Sequence, residues 1–460
     1  PLRTRGDVLE AVEALARRMA EALQEKGFDP AACEEVTRRW LGQGTGQVPG
    51  VLRFICERLV PALEKTTDEI TNLLHGLRGG FVPPGPSGSP TRGMASVLPT
   101  GRNFYSLDPR TVPSPFAWQV GTRLADALLQ KYLAEEGRYP ETVGLVVWGT
   151  AVMRTQGDDI AQALALLGVR PRWQEENRRV VGLEVIPLEE LAHPRIDVVL
   201  RISGFFRDAF PNLISLLDQA VETVALLDEP PDKNFVAKHF REDLTRRRAL
   251  GMPGTPASAL YRIFGSKPGT YGAGILAALD QGNWRTEKDL AEVYTTWGSY
   301  AYTRRAHGES APLEFREQFA RIHVAAKNQD NREHDIFDSD DYLQYHGGMV
   351  ATVRALTGRN PRAFFGDTAD PSQARVRDLA DEARRVFRTR VVNPKWIEAM
   401  KRHGYKGAFE LAATMDYLFG YDATAGVVDD WMYEETARAY ALDPAIQAFF
   451  RQSNPWALRA

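Results

Sequence analysis

The stretch 331–349, NREHDIFDSDDYLQYHGGM, concentrates carboxylates, two tyrosines, a glutamine and two histidines. If residues 339–345 are helical, side chains four positions apart share one face, and those three apart lie on the neighbouring stripe. The first face would carry Asp338, Tyr342 and His346, and the stripe beside it Asp341 and Tyr345. Carboxylate, phenol and imidazole groups on one face can bind a divalent cation or exchange protons near neutral pH.

The same residues also have a purely structural interpretation. Asp338 is typical of a helix N-cap, and Asp340 and Asp341 favour the first helical turn, where the positive end of the helix dipole lies. Tyr345 would then belong to the core. The glycine pair at 347–348 lets the backbone turn or approach a ligand closely. Both interpretations stay open at this point.

The other histidines of the chain provide weaker candidates. His403, in KRHGYKG after Glu398, is the second candidate base, although a histidine beside Gly404 can equally cap a helix C-terminus. His334 is the next candidate, and His239 in NFVAKHF ranks below it. Structural roles are expected for the remaining histidines that we weighed, which are His75, His193 and His323.

Composition excludes several classes of protein. A formal net charge of −3 gives no global basic surface for nucleic acid or a membrane. Cys33 and Cys56 lack CxxC spacing, so neither a zinc site nor a disulfide framework is expected, and the cytoplasm is the expected compartment. No apolar run approaches the ~18 residues of a membrane span. The chain starts without Met, so we expect part of a longer protein, with room for two or three domains.

The pattern along the chain predicts an α/β region with a parallel sheet, preceded and followed by helical regions. Residues 1–78 carry apolar residues at helical spacing, and 79–99 form a Gly/Pro-rich loop or linker. Within 100–240, ETVGLVVWG and RIDVVLRISG are typical of strands buried on both faces, with helices between them. Residues 241–460 are predicted to be mainly helical and to carry the His/Asp/Tyr cluster, with a helix over 312–325 and a short strand at RAFFGDT.

Ligands of parallel sheets bind beyond the carboxyl ends of the strands, which lie here at 148–150 and 203–208. The chain has neither GxGxxG nor GxxxxGK[ST], which disfavours dinucleotide binding and a phosphate loop. If ATP is used, we expect another subunit to supply its site. The glycine-rich segment 262–275 fits either a weak anion cradle or a structural loop.

Several long motifs, in one order from about Glu69 onward, resemble the large subunits of the class I metal chelatases, a family that includes CobN and the H chain of magnesium chelatase. They are LPTGRNFYSLDP, VVWGT with MRTQGDDIAQALALLGVRP, PRIDVVLRISGFFRDAFPNLISLLDQAV, NFVAKHF, DSDDYLQYHGGM, VVNPKWIEAMKRHGYKGAFELAATMDYLFGYDATAGVVDDWMYE and SNPWALRA. RNFYSLDPR, WGTAVMRTQGDDI and SDDYLQYHGGM are more similar to the cobalt-inserting branch than to the magnesium branch.

The resemblance implies a cytoplasmic ligase subunit that binds a tetrapyrrole and carries the insertion site. A separate AAA+ ATPase and its co-subunit would hold ATP and Mg²⁺. For the cobalt branch, the substrates would be Co²⁺ and hydrogenobyrinic acid a,c-diamide, in cobalamin biosynthesis. Full-length members are longer and have an upstream acidic, histidine-containing motif and a last helical stretch that this chain lacks. We therefore expect this chain alone to be inactive.

Metal insertion needs a held macrocycle, a base for its inner N–H protons and a cation stripped of water. Cobalt(II) binds imidazole and carboxylate ligands together. The resemblance therefore suggests that His346 and Asp341 transfer the metal ion into the macrocycle, while Tyr342 and Gln344 position it. The second catalytic candidates are His403 and Glu398. A substrate rich in carboxylates needs basic anchors and aromatic surfaces. The candidates are Arg102, Arg154, Arg207, Lys238 and His239, with Trp148, Phe205 and Phe206 to stack on the ring.

Two other functions stay open. The large chain of a magnesium chelatase, acting on protoporphyrin IX, would have a largely apolar pocket instead of one lined by arginine. A non-catalytic tetrapyrrole-binding or carrier protein would keep the basic and aromatic residues but would survive the loss of His346 and Asp341.

Overall fold

A computed structural model describes residues 5–42, 46–88, 90, 95–105, 107–249, 251 and 257–459. The chain divides into two compact units, Pro1–Leu107 and Asp108–Ala460. Among the described residues, no helix is both long enough and apolar enough to cross a membrane.

The N-terminal unit is mostly helical, as its apolar periodicity predicts. Its helices are α1 (Arg5–Glu25), α2 (Cys33–Leu41), α3 (Val48–Phe54), α4 (Val60–Glu64) and α5 (Asp68–Leu77), and a π turn, Ile55–Leu59, joins α3 to α4. Two short parallel strands follow, β1 (Gly85–Pro86) and β2 (Asn103–Tyr105). Cys33 and Cys56 are buried free thiols whose Sγ atoms lie 3.7 Å apart.

The C-terminal unit is built on an eight-stranded sheet. Its strands are β3 (Thr142–Val147), β4 (Val169–Trp173), β5 (Val180–Val185), β6 (Asp197–Ile202), β7 (Ile263–Gly265), β8 (Tyr300–Tyr302), β9 (His307–Ser310), β10 (Val324–Gln329), β11 (Arg362–Asp367) and β12 (Arg375–Asp378). β4 and β5 form a separate antiparallel pair, and the others make one sheet in the order β12-β11-β10-β3-β6-β7-β8-β9.

Helices cover both faces of this sheet. They are α6 (Pro115–Glu136), α7 (Gly149–Thr155), α8 (Asp158–Leu167), α9 (Gly204–Ala209), α10 (Pro211–Ala225), α11 (Phe235–Ala249), α12 (Ile275–Asp280), α13 (Glu287–Gly298), α14 (Pro312–Phe319), α15 (Asp340–Tyr342), α16 (Gly348–Thr357), α17 (Leu379–Val386), α18 (Pro394–Arg402), α19 (Gly404–Ala425), α20 (Asp430–Thr436) and α21 (Pro444–Ser453). Three more π turns interrupt them, at Leu343–Gly347, Phe387–Val391 and Ala437–Ala441.

The five central strands, β11, β10, β3, β6 and β7, are parallel, and β8, β9 and β12 add antiparallel pairs at the edges. β3 and β6 are buried along their whole length, because each is a continuous apolar run with a helix layer on either side. From β3 the chain builds outward through β6 and β7, and it then returns to β10 on the other side of β3. The strand order therefore reverses between β3 and β10.

The structure confirms the predicted α/β class with a parallel sheet among helices. The short strand at RAFFGDT is β11. The helix predicted over 312–325 is wrong in its second half, since α14 ends at Phe319 and β10 begins at Val324. Strands β7 to β12 lie beyond residue 240 and join the sheet of β3 and β6, so the sheet continues across the predicted boundary there. The four predicted domain ranges stay a prediction.

Candidate functional site

The reversal of strand order between β3 and β10 marks the expected ligand crevice of an open parallel sheet, outside the carboxyl ends of the strands. Trp148 follows β3 at this edge, and Asp330 follows β10. Residues 330–349, which we call the carboxyl-edge segment, begin at this point. The chemically rich stretch found in the sequence therefore lies at the switch point of the sheet.

A π turn shapes the carboxyl-edge segment. After α15, the turn Leu343–Gly347 interrupts the α-helical spacing, and α16 then continues the helix. Such turns are rare and occur frequently at functional sites. Gly348 allows close packing, because a Cβ atom at this position would lie 2.5 Å from the ring of Tyr294. The predicted common face of Asp338, Tyr342 and His346 assumed an uninterrupted α-helix, and the π turn changes that spacing.

Two buried cations lie beneath this segment, and the sequence reasoning missed both. Lys327 of β10 and Arg201 of β6 are in register with Val146 of β3 and flank it on one face of the sheet. Their exposures are 1% and 0%. A basic residue inside a buried strand is the signal that could have identified them, because such residues are almost never fully buried without a partner.

Aromatic rings cover both cations. The Lys327 Nζ atom lies 4.1 Å from the ring centroid of Trp148 and donates a 2.6 Å hydrogen bond to the Asn328 carbonyl. The Arg201 guanidinium lies 5.1 Å from the ring of Tyr345 and 5.2 Å from that of Tyr294. Burial lowers the pKa of Lys327, and nearby carboxylates oppose this shift.

His346 is completely buried. Its Nε2–H donates a 3.0 Å hydrogen bond to the Ala325 carbonyl, and its buried Nδ1 atom has no hydrogen-bond partner among the described residues. Burial lowers the pKa of the imidazole to about 4, so the ring is neutral at pH 7. The ring is thus fixed against β10 with one nitrogen lone pair unused.

The other predicted residues of this segment lie in different surroundings. Tyr342 is buried, with its ring centroid 4.8 Å from that of Trp148. Gln344 is buried and donates a 3.0 Å hydrogen bond to Asp340. Asp341 reaches solvent, although the protein around its carboxyl group raises the pKa, and the charge of Asp340 adds to the shift. His346 and Asp341 therefore face different environments.

Two of the predicted anchors already have carboxylate partners at this edge. Arg154 forms a bidentate pair with Asp330, with distances of 2.7 and 2.8 Å. Arg207 pairs with Asp208 at 2.6 and 2.9 Å. Its remaining terminal nitrogen donates to carbonyl groups of the glycine-rich segment 262–275. Carbonyl oxygens of that segment thus face a cation, which favours the structural-loop interpretation over the anion cradle.

A cavity of about 480 Å³ lies beside the first part of the carboxyl-edge segment, and we call it the Asp338 cavity. It is lined by Arg332, Glu333, Asp338, Arg390, Trp396, Met400, His403, Lys406, Gly407 and Glu410. Asp338 is mostly buried, and its Oδ1 atom has no hydrogen-bond partner among the described residues. The same atom lies 3.5 Å from Nδ1 of the exposed His334.

Electrostatics make Asp338 an unusual carboxyl group. Burial, followed by the negative charge of Asp335, raises its pKa to about 6, while Arg390 and His334 oppose the shift. Arg390 holds Asp335 through a bidentate pair at 2.5 and 2.9 Å and lies 4.8 Å from the ring of Trp396. A carboxyl group with this pKa is ionised at neutral pH and is a stronger base than an ordinary aspartate.

The structure places the remaining candidates as follows. His403 lies at the junction of α18 and α19, is exposed and lines the Asp338 cavity. Glu398 is on the surface, where it pairs with Lys401 at 2.8 Å. Phe206 is completely buried and stacks on Phe210, while Phe205 is exposed. Arg102 belongs to the N-terminal unit, where its side chain packs against Gly85.

Lys238 and His239 lie at the opposite, amino-terminal edge of the sheet. Lys238 pairs with Glu141, the residue before β3, at 2.7 Å. His239 donates from Nδ1 to Asp197 at 2.9 Å and from Nε2 to Glu141 at 3.1 Å. Both residues are therefore away from the switch point. Within the described ranges, no group of three or more His, Cys, Asp or Glu side chains is arranged to hold a metal ion.

Comparisons with known proteins point to one protein family across the whole chain. Residues 1–460 match the family model for CobN/Magnesium Chelatase. The aerobic cobaltochelatase subunit CobN of Pseudomonas aeruginosa is 49% identical, over 100% of this chain and 36% of its own length. The H chain of the magnesium chelatase of Chlorobaculum parvum is 32% identical, over 98% of this chain and 37% of its length.

A solved structure is similar in sequence and in fold to nearly the whole chain. The catalytic subunit of cobaltochelatase from Mycobacterium tuberculosis is 55% identical, with a TM-score of 0.91 over 98% of this chain and 37% of that protein. The chain thus spans little more than a third of the length of these relatives. It belongs to the CobN/magnesium chelatase family.

Proposed function

We propose that this chain is the corrinoid-binding and metal-inserting part of the large subunit of an ATP-dependent cobaltochelatase. The observation that carries the proposal is the higher identity to a cobaltochelatase subunit, 49%, than to the H chain of a magnesium chelatase, 32%. The substrates would be Co²⁺ and hydrogenobyrinic acid a,c-diamide. ATP hydrolysis with Mg²⁺ would take place on a separate AAA+ ATPase and its co-subunit, so activity belongs to the complete assembly.

Asp338 is the proton acceptor in this proposal. Metal insertion releases the inner N–H protons of the macrocycle, and a positioned base must take them up. The Asp338 carboxyl group faces a cavity, has an unused oxygen among the described contacts and has a pKa near 6. His334, 3.5 Å away, and His403, on the same cavity, can pass the proton to solvent.

The roles of Asp341 and His346 in handling the metal stay a prediction. Asp341 is accessible and can meet a cation arriving from solvent. His346 retains a lone pair on Nδ1 but is completely buried, so contact with Co²⁺ would require the carboxyl-edge segment to move. We propose that Tyr342 and Gln344 hold Asp341 and its neighbours in place through the contacts to Trp148 and Asp340.

Substrate anchoring is proposed for the crevice around Trp148. Its indole N–H is buried without a hydrogen-bond partner among the described residues, and Lys327 lies under its ring. Arg154 could release Asp330 and bind a substrate carboxylate in its place, since a guanidinium forms the same bidentate pair with both carboxylates.

The first experiment is a fluorescence titration of the protein's tryptophans with hydrogenobyrinic acid a,c-diamide and, separately, with protoporphyrin IX. Preference for the corrinoid supports the cobalt assignment. Preference for protoporphyrin IX would instead support the magnesium alternative. Insertion of Co²⁺ by the assembled enzyme then distinguishes a catalytic subunit from a carrier.

Variants test the residues in the same insertion assay. Asp338→Asn should lower kcat by about 10²-fold or more, the usual contribution of a positioned base, while Glu184→Gln, which breaks an exposed ion pair with Arg170, keeps most of the activity. His346→Ala tests the metal prediction, because normal cobalt insertion by a folded variant would remove His346 from the mechanism. Wild-type rates for Asp338→Asn would remove Asp338 as the base.

A further inference from the structure

A second cavity lies at the amino-terminal edge of the sheet, where β3, β10 and β11 begin. Its volume is about 430 Å³, within the range of small-molecule sites. We call it the amino-edge cavity. Its lining includes Tyr132, Arg138, His323 and Arg359, together with glutamates that are described below.

The amino-edge cavity is separate from the candidate site. His323 directly precedes β10 and Asp330 directly follows it, so the six-residue strand lies between the two places. Six residues of a strand span about 20 Å. A molecule in the amino-edge cavity therefore cannot be the ring that reacts at the carboxyl edge.

The glutamates of this cavity already have cationic partners. Glu136 pairs with Arg362 at 2.7 Å. Glu141 accepts from Lys238 and His239 at 2.7 and 3.1 Å. Glu242 lies 3.8 Å from Arg321, whose closer partner is Asp243 at 2.7 Å. Little negative charge in the cavity is left unbalanced.

Two arginines have no such partner. Neither Arg138 nor Arg359 forms an ion pair with a carboxylate in the described parts of the chain. Arg138 lies close to the Tyr132 hydroxyl and to His323, where its charge adds to the effect of burial in lowering the imidazole pKa. The buried Nδ1 atom of His323 has no hydrogen-bond partner among the described residues.

We propose that the amino-edge cavity binds a small organic anion with at least two negative charges. A phosphate or carboxylate group would accept hydrogen bonds from the Arg138 fork and from the Tyr132 hydroxyl, with the His323 imidazole beside it. Arg359 at the rim would pair with the second anionic group. Bidentate contact with a guanidinium is the geometry that such oxyanions bind most strongly.

Isothermal titration calorimetry of the complete protein with pyrophosphate, and separately with citrate, tests the site. Saturable binding of one probe is expected, and the better probe distinguishes a phosphate ligand from a polycarboxylate. The double variant Arg138→Ala/Arg359→Ala should weaken binding at least tenfold. Arg138→Lys should weaken it less, because an ammonium group keeps the charge but cannot form the fork.

Arg248→Ala is the matched control. Arg248 is an exposed arginine outside the cavity lining, so this variant removes the same charge without touching the site. Binding should stay within about twofold, because salt screens distant surface charges. Circular dichroism verifies that each variant is folded. Absence of binding at millimolar concentrations of both probes, or equal weakening in Arg248→Ala and the double variant, would overturn the proposal.

Discussion

Removal of the Asp335 charge should shift the pH dependence of cobalt insertion. Asp338 has a pKa of about 6, roughly two units above an ordinary aspartate. Burial is the main cause and the charge of Asp335 the second, so Asp335→Asn should recover only part of the shift. The same change frees the Arg390 cation, which also favours ionised Asp338. We expect the pKa to fall by roughly half a unit to one unit, equivalent to about 0.7–1.4 kcal/mol.

The assay is the pH dependence of kcat/KM for Co²⁺ insertion by the assembled enzyme, which reports ionisations of the free enzyme. Since the base must be deprotonated, activity should rise through pH 6 in the wild type and at a lower pH in Asp335→Asn. As the control, Glu184→Gln removes a carboxylate that lies in an exposed ion pair with Arg170, outside the carboxyl-edge segment. The acid limb of its pH profile, where kcat/KM rises with pH, should stay at the wild-type position. An unchanged or upward-shifted limb in Asp335→Asn would refute Asp338 as the base.

Three further predictions concern stability. Asp197→Asn should lower the unfolding free energy by about 3–5 kcal/mol in a urea titration, because it leaves the buried Arg262 without its carboxylate partner at 2.8 Å. The exposed-pair variant Glu184→Gln should leave that free energy nearly unchanged. Hydrogen bonds to two carboxylates raise the pKa of His239 against the effect of burial, so its stabilising contribution is complete below about pH 6.5 and is lost as pH rises through the raised pKa. Melting temperatures measured across this range should therefore fall less in His239→Gln than in the wild type. Gly348→Ala should cost about 1–3 kcal/mol, because the added methyl group would meet a buried tyrosine ring, and an unchanged melting temperature would contradict this packing.

Periodicity predicted the apolar strands β3 and β6 but missed β10. β3 and β6 are continuous apolar runs, so their burial on both faces was evident from the sequence. β10 reads VAAKNQ, and its polar second half hid a strand that is buried along its whole length. Tertiary packing overrode local preference there, because Lys327 lies against the ring of Trp148 and the Ala325 carbonyl accepts a hydrogen bond from His346.

The sequence identified parts of the candidate site but did not connect them. Reactive side chains cluster at 331–349, and the rule on strand ends indicated 148–150 and 203–208, but the strand β10 that leads into 331–349 was not predicted. Side-chain directions were not predictable, because the expected common face assumed α-helical spacing, and no sequence rule locates a π turn. The unusual environment of Asp338 depends on Arg390 and His403, which come from the chain more than 50 residues later. Long-range contacts of this kind are absent from local patterns.

The π turn at Leu343–Gly347 has an evolutionary consequence. A π turn contains one residue more than the α-helical turn it replaces, so it is the trace that a single-residue insertion leaves in a helix. Loss of one residue here would restore a continuous helix and rotate Asp338–Tyr342 by about 100° relative to α16. Relatives with a one-residue gap at 343–347 should therefore present different side chains to the crevice, even where the surrounding letters align. The position of that gap would separate the family into lineages that share this site geometry and lineages that do not.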